Sequence, residues 1–208
     1  TTEFSIFSIT HPPIVVLVKD FCLIWLIILE TPLPLAGKYL PLISCKIFVK
    51  DLKIISSELL KNFKDNDSYI LIIGKTLGHL HQSEFFKIVL NIDEGPPPDV
   101  NLFNEKNNGI VIQKLISEKL VSSVHDVSAG GILVGVIEMS IPGKIGAKIK
   151  IPENGLNSHE YFFSEDQSRY IIEVNKKNID QVTKILEKNG IFFDIIGKTQ
   201  KDYLELDK

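Results

Sequence analysis

The stretch His125-Asp126-Val127-Ser128-Ala129-Gly130-Gly131 lies between a short apolar run, Val121–Val124, and a longer apolar run, Gly131–Ser140. The first run predicts a short strand and the second predicts a helix, because its apolar residues recur at helical spacing. Two consecutive glycines allow the backbone to adopt positive φ values and allow close approach of another group. The pattern therefore predicts a tight glycine-rich loop between a strand and a helix.

Such a loop suits a phosphate-bearing ligand. The N–H groups at the start of a helix favour an anion, so we predict that Ser128, Gly130 and Gly131 bind the phosphates of a nucleotide cofactor. Asp126 is the predicted magnesium ligand, because hard cations prefer carboxylate oxygens and often bridge to phosphates. The residues alone also fit a plainer alternative, in which Ser128 is the N-cap of the helix and the glycines only form a tight turn.

A second polar segment, Phe163-Ser164-Glu165-Asp166-Gln167-Ser168-Arg169-Tyr170, precedes a predicted strand. Gln167 can hydrogen-bond an amide or a hydroxyl, and Arg169 can pair with a carboxylate or phosphate through two parallel bonds. The alternative is a solvated loop that contains an internal Glu–Arg ion pair.

A third segment, Gly74-Lys75-Thr76-Leu77-Gly78-His79-Leu80-His81-Gln82-Ser83-Glu84-Phe85, follows a predicted strand but lacks the glycine–lysine–Ser/Thr order of a P-loop. His79 and His81 have the spacing of a metal-binding pair, but no third ligand is near in sequence. A surface loop is the favoured interpretation.

Around these segments, strand and helix patterns mix without strict alternation. This predicts the α+β class, with helices packed on a mixed β-sheet. The predicted strands are Ser68–Ile73, Val121–Val124, Ile145–Ile151, Tyr170–Val174, Ile191–Ile196 and Tyr203–Leu206, and the predicted helices are Asn101–Leu120, Gly131–Ser140 and Asn178–Lys188.

Residues 1–47 differ from the rest, and we predict a divergent apolar segment there and a domain over residues 48–208. The apolar runs at 14–18 and 21–29 are separated by Lys19 and Asp20. A membrane span needs about 20 apolar residues, so the pattern favours two strands or a poorly specified segment over a span. Because the chain begins at Thr1 and its single methionine is Met139, we expect a fragment.

The composition excludes several classes of protein. A formal net charge of -3 argues against a nucleic-acid binder, and 44% hydrophobic residues are enough for a core. The two cysteines, Cys22 and Cys45, do not suggest a disulfide framework, so a reducing cytoplasm is the expected location. The scattered histidines give little support for zinc.

Taken together, these segments resemble phosphoribosylformylglycinamidine synthase, the formylglycinamide ribonucleotide amidotransferase of purine biosynthesis, in the C-terminal domain of its second half. The resemblance covers about Phe48 to Lys208. The family patterns G-E-T-x-G-x-L-G-G-S-E-Y, G-x-P-P-x-x-D, H-D-V-S-D-G-G-L, G-x-x-G-A and F-G-E-S-Q-G-R-Y are matched by Gly74–Phe85, Gly95–Asp99, His125–Ile132, Gly143–Ala147 and Phe163–Tyr170.

The resemblance implies the C-terminal domain of the aminoimidazole ribonucleotide synthetase-like fold. It also implies a ligase that uses ATP, Mg²⁺ and glutamine to convert formylglycinamide ribonucleotide into the amidine. Upstream synthetase domains and a glutaminase subunit are the implied partners, with most of the ATP site on a preceding domain. It places Glu165, Gln167 and Arg169 at the substrate and assigns no catalytic residue to this chain.

The chain departs from the family patterns at several sites. Ala129 replaces an aspartate, Lys75 replaces a glutamate, and His81 and Gln82 replace two glycines, while Ser164 and Asp166 replace glycine and serine. Each change weakens a ligand site, so we expect the chain to be inactive alone. Two alternatives are a non-catalytic interaction domain of the same fold and another small ATP-dependent synthetase or kinase of the superfamily.

Overall fold

The computed structural model describes residues 14–15, 18–19, 23–24, 27–28, 46–48, 62–150, 153 and 155–207. The chain divides into two compact units, residues 1–43 and 44–208. The boundary at 47/48 stays a prediction. Cys22, Cys45 and half of the apolar segment at 14–29 lie outside the described residues.

In the first unit, the described residues form four two-residue strands: β1 Ile14–Val15, β2 Val18–Lys19, β3 Leu23–Ile24 and β4 Ile27–Ile28. β1 pairs antiparallel with β4, and β2 pairs antiparallel with β3. The described part of the chain contains no helix long and apolar enough to cross a membrane.

In the second unit, the described residues form a seven-stranded sheet. Its strands are β5 Lys46–Phe48, β6 Tyr69–Ile73, β7 Ser123–Asp126, β8 Ile145–Lys150, β9 Tyr170–Val174, β10 Phe193–Lys201 and β11 Tyr203–Asp207. Their order is β5-β11-β8-β10-β6-β9-β7. The pairing of β8 with β11 is parallel and the other pairings are antiparallel, which confirms the predicted mixed sheet.

The helices that the described residues of this unit form are α1 Leu102–Ser117, α2 Gly131–Gly143, α3 Ser158–Phe163 and α4 Ile179–Lys188, together with a π-helical turn at Phe85–Val89. Val111 and Leu115 of α1 and Leu186 of α4 share one buried cluster with alternate residues of β6 and β9. α2 packs on the opposite face, where a Cβ at Gly135 would meet the Ile171 side chain at 2.7 Å. Successive residues of a strand point to opposite faces, so both faces of the sheet are covered.

A buried carboxylate fastens the segment that precedes β6 to the sheet. Glu173 of β9 accepts hydrogen bonds from the backbone N–H groups of Lys64 and Asp65, both at 2.9 Å, and from the Ser123 hydroxyl at 2.8 Å. Phe63 is also buried, and its N–H donates to Met139 O at 3.0 Å.

Several elements differ from the sequence predictions, and β10, predicted as Ile191–Ile196, spans Phe193–Lys201. β7 begins at Ser123 and includes His125 and Asp126, because these residues pair with Ile171 and Tyr170 of β9. α3 was not predicted, although Asn157 and Glu160 form the capping box that starts it. The π-helical turn was also missed.

Candidate functional site

The glycine-rich loop and the 163–170 segment meet at one edge of the sheet. Asp126 at the end of β7 lies opposite Tyr170 at the start of β9, because the two strands are antiparallel. The Val127 N–H continues this pairing and donates to Arg169 O at 2.9 Å. The segment that follows β7 and the segment that precedes β9 therefore face each other.

Between them lies a pocket of about 320 Å³. It brings together five of the seven residues that the sequence predicted as ligands: Asp126, Ser128, Glu165, Gln167 and Arg169. Gly130 and Gly131 do not line it. The lining also includes Glu105 of α1, which the sequence reasoning missed because it lies in an ordinary helical pattern far from the loop.

Glu165 provides a carboxylate at the start of α2. Its Oε1 accepts the Gly130 N–H at 2.8 Å and the Glu84 N–H at 2.8 Å. A helix N-terminus favours an anion, and the anion here comes from the protein itself. Glu165 thus connects the glycine-rich loop to the 74–85 segment, and a phosphate at Gly130 N–H would compete with it.

The two loop glycines are required by the packing of the chain. Gly130 and Gly131 have φ values of +80° and +72°, which L side chains rarely adopt. A Cβ at Gly131 would lie 2.5 Å from Phe162 O and 2.6 Å from Ser164 O. The Gly131 N–H donates to Ser128 O at 3.1 Å, so the predicted tight turn is present. The alternative that Ser128 caps the helix is wrong, because the N-cap is Gly130.

Asp166 fixes the third segment in the same way. Its Oδ2 accepts the N–H groups of Leu77 at 2.9 Å and Gly78 at 3.0 Å, and its Oδ1 accepts the His79 N–H at 3.3 Å. Three backbone donors around one carboxylate make a rigid turn. All three polar segments are thus part of one hydrogen-bonded unit.

Arg169 is at the centre of that unit, and its side chain is fully buried. Its guanidinium donates to Asp166 O at 3.1 Å, to Thr76 Oγ1 at 3.1 Å and to Ser164 O at 2.7 Å. Burial lowers the pKa of Arg169, and the nearby Asp166 carboxylate opposes that shift. A substrate-binding role for Arg169 stays a prediction, because its donors are engaged within the chain. The predicted solvated loop with a Glu–Arg pair is wrong: the segment is largely buried, and the ion-pair partner of Arg169 is Asp166 at 3.9 Å.

His125 connects the loop to α2. Its Nε2 lies 3.2 Å from Glu138 Oε2, and its Nδ1 contacts Asp126 O. Burial lowers the pKa of His125, but the hydrogen bonds and negative charges of Glu138 and Asp126 outweigh burial, so the pKa is raised overall. The imidazole therefore holds the loop from its buried side and does not line the pocket.

The pocket is acidic. Glu105, Asp126 and Glu165 line it, and the guanidinium of Arg169 points into the protein interior. Asp126 has a side chain 59% exposed, so its carboxylate is accessible. Burial, followed by the charges of Glu105 and Asp126, raises the pKa of Tyr170. Carboxylate oxygens suit Mg²⁺, although no cluster of three or more metal-ligand side chains occurs in the described part of the chain.

The 74–85 segment supports the proline-rich stretch that follows it. His79 Nε2 lies 3.0 Å from Pro96 O, and the Gln82 amide donates to Gly95 O at 3.3 Å. His81 packs against Gly95. Gln82 and Ser168 have φ values of +61° and +65° at positions where the family patterns quoted above have glycine.

Comparison with known proteins defines the class. Residues 67–206 match the family model described as AIR synthase related protein, C-terminal domain. The chain belongs to this family, and the predicted fold is confirmed.

Among curated proteins, the chain is similar to phosphoribosylformylglycinamidine synthase subunit PurL of Pelagibacter ubique (strain HTCC1062). The two are 49% identical over 146 residues, which are 70% of this chain and 20% of that protein. PurL of Rhodopseudomonas palustris (strain BisB5) is 36% identical over 145 residues, again 70% of this chain and 20% of the relative. The chain therefore spans about one fifth of the length of these relatives.

Solved structures show the same fold. T. maritima PurL complexed with ATP aligns with a TM-score of 0.57 and 18% identity, covering 72% of this chain and 24% of that one. T. maritima PurL complexed with FGAR aligns with a TM-score of 0.57 and 20% identity, covering 69% and 25%.

Proposed function

We propose that this chain acts as one domain of phosphoribosylformylglycinamidine synthase, the ligase of purine biosynthesis that uses ATP and glutamine to form formylglycinamidine ribonucleotide. The proposal rests on one observation: hydrogen bonds of Glu165, Asp166 and Arg169 join the three family segments around one pocket. Identity of 49% to a PurL subunit over 146 residues supports the same function.

The charge of the pocket supports a role for a divalent cation. Polyphosphate would be repelled by Glu105, Asp126 and Glu165, and Mg²⁺ at the Asp126 carboxylate would offset that repulsion. Ser128 is exposed and carries a hydroxyl that donates to a phosphate oxygen in this proposal. Gln167 is exposed at the same pocket and would hydrogen-bond the substrate.

A partner domain is part of the proposal. Leu102 and Phe103 are 76% and 73% exposed at the start of α1, one helical turn before the pocket residue Glu105, and Leu77 is 62% exposed. Exposed apolar side chains next to a pocket indicate a surface that another protein surface covers. We expect upstream synthetase domains there, a glutaminase subunit in the assembly, a cytoplasmic location and no activity of the chain alone.

The test is reconstitution. The full chain is mixed with the upstream part of a PurL relative and its glutaminase, and amidine formation is measured with ATP, Mg²⁺ and glutamine. Asp126→Asn is expected to lower the rate about tenfold or more, by analogy with the loss of a group that holds a metal. Asp67→Asn, at a carboxylate that is 68% exposed and lies outside the pocket, is the matched control and should leave the rate unchanged.

The second candidate function is a non-catalytic interaction domain. It is favoured by Ala129, which stands where the family has aspartate, and by Glu165 on the Gly130 N–H. It predicts that the reconstituted assembly is equally active with either variant, and that calorimetry detects no ATP binding to the chain.

A further inference from the structure

A second cavity lies at the other end of α1, outside the site described above. It has a volume of about 740 Å³ and is formed between α1 and α4. Lys114 of α1 contributes to it, whereas Glu105 of the same helix lines the first pocket. The two positions are nine residues apart, which corresponds to about 13 Å along the helix axis.

The lining of this cavity is basic. It is lined by four lysines, Lys114, Lys177, Lys184 and Lys188, and by one acidic residue, Asp180. The other lining residues are Gln181, Ile185 and Asn189. We call this set of lysines the lysine groove. A concentration of positive charge in a chain with a net charge of -3 creates a local field that attracts anions.

The lysines are available for a ligand. Lys114 is 3.9 Å from Glu118, an exposed pair that contributes little. In the described part of the chain, Lys177, Lys184 and Lys188 have no carboxylate within ion-pair distance, and all three are exposed. Their like charges repel one another, so a bound anion would relieve a repulsion that the free protein carries.

The platform under these lysines is rigid. α4 buries Val182 and Leu186 completely in the core, against the residues of α1 and the sheet. Lys184 and Lys188 are four residues apart and therefore lie on one side of the helix, about 6 Å apart along its axis. The groove thus presents a row of lysines from a firmly packed helix, with two amide side chains and a half-buried isoleucine beside them.

We propose that the lysine groove binds a small ligand with several adjacent phosphate groups. The volume of the cavity lies within the range of small-molecule sites, about 300–1,000 Å³. Lysine is a point charge that suits phosphate oxygens, and amide N–H groups of Gln181 and Asn189 provide further donors. The distribution of charge favours a compact phosphate ligand over nucleic acid, because only four of the 23 basic residues line the groove and the rest of the chain is acidic overall.

The test uses the full chain and two probes, inorganic tripolyphosphate and ATP without magnesium, titrated by calorimetry at low salt. The double variant Lys184→Gln/Lys188→Gln removes two cations from the groove. The matched control, Lys150→Gln/Lys201→Gln, removes the same charge from two exposed strand positions. All four lysines are exposed, so both variants are expected to fold, and a thermal melt checks this.

The groove variant should lower the affinity for tripolyphosphate about fivefold to tenfold, while the control should change it less than about twofold. Amide chemical-shift changes on titration should map to residues 177–189 and the end of α1. Equal affinities of the two variants, shift changes confined to residues 126–131, or no binding of either probe would overturn the proposal. The first two outcomes leave the proposed function standing, since that function depends on Asp126 and the reconstituted reaction.

Discussion

The two ends of α1 carry opposite kinds of pocket. The pocket at Glu105 is acidic, and most of the charged groups in its loops are hydrogen-bonded within the chain. Glu165 accepts hydrogen bonds from two backbone N–H groups and Asp166 from three, while Arg169 donates to oxygen atoms of neighbouring residues. The lysine groove at Lys114 is basic and is built from helix surfaces whose charged groups have few partners. The polar residues of the first pocket thus mostly stabilise the conformation of its loops, whereas those of the lysine groove are available to bind a ligand.

This comparison changes how a family signature is interpreted. Glu165, Asp166 and Arg169 are residue types that are commonly assigned to substrate binding, yet their observed partners are backbone groups, hydroxyls of the same chain and one another. Asp126, Ser128 and Gln167 remain accessible in the same pocket. The accessible residues are the ones whose substitution should affect a ligand without affecting stability.

The largest effect is expected at Arg169. Arg169→Met removes every hydrogen bond of the guanidinium and leaves the buried Asp166 without its charge partner, so the free energy of unfolding should fall by about 3–5 kcal/mol. Urea denaturation followed by circular dichroism measures this. Lys198→Met is the control, because Lys198 pairs with Asp67 at 3.3 Å on the exposed surface. This substitution should lower the free energy of unfolding by less than about 1 kcal/mol. Similar losses in the two variants would mean that Arg169 is not the centre of the loop unit.

A smaller loss is expected at Gly131. Gly131→Ala should lower the free energy of unfolding by about 2–4 kcal/mol, because it combines a positive φ with a clash against two carbonyl oxygens. Gly190→Ala separates the two causes: Gly190 has a φ of +65°, and a Cβ there would meet nothing within 4 Å. Gly190→Ala should therefore lower the free energy of unfolding by only about 1–2 kcal/mol. If both variants lose the same amount in thermal unfolding, the clash with the neighbouring chain is not what requires glycine.

A gain of stability is expected at Gln82. Gln82→Gly relieves a positive φ of +61° and loses one exposed hydrogen bond to Gly95 O, so the free energy of unfolding should rise by about 0.5–1 kcal/mol. Ser168→Gly should raise the free energy of unfolding by less, because it removes the Ser168 hydroxyl, which accepts a hydrogen bond from the Asn108 side-chain amide at 3.1 Å. Differential scanning calorimetry compares the two, and a loss at Gln82 would contradict the prediction.

The smallest effect is a pH dependence at His125. Its folded-state pKa is raised above the ordinary value of 6.5, so protonation contributes stability that is fully present below 6.5 and is lost as the pH rises through the raised pKa. His125→Gln should abolish that component. Unfolding free energies of both proteins are measured from pH 5.5 to about 8.5, and their difference isolates His125 because the other groups titrate in both. A difference that grows with pH would have the wrong sign.

The local patterns of the chain predicted most of its elements. β9 has the predicted bounds, and α1 and α4 differ from the predicted bounds by a few residues, because apolar periodicity sets them. The capping box of α3 was present in the sequence but six residues of helix are too few to show periodicity.

The partners of the site residues were not predictable. The bonds of Asp166 to Leu77 and Gly78 join residues 89 and 88 positions apart in the chain, so no local spacing reveals them. Which of several polar residues points inward is decided by the pairing of β7 with β9 and by the packing of α2 against α3. The same holds for Glu105, which reaches the pocket only because α1 crosses that edge of the sheet.

The Glu173 carboxylate sets a limit on how far this domain can be shortened. Similarity to the family model begins at residue 67, yet Glu173 takes its backbone donors from Lys64 and Asp65, and the Phe63 side chain is buried. A truncated protein that starts at Asp67 would bury a carboxylate with two of its three donors missing and would open a cavity where Phe63 packs. A shortened chain that keeps these contacts therefore starts no later than Phe63, upstream of the point where the family similarity begins.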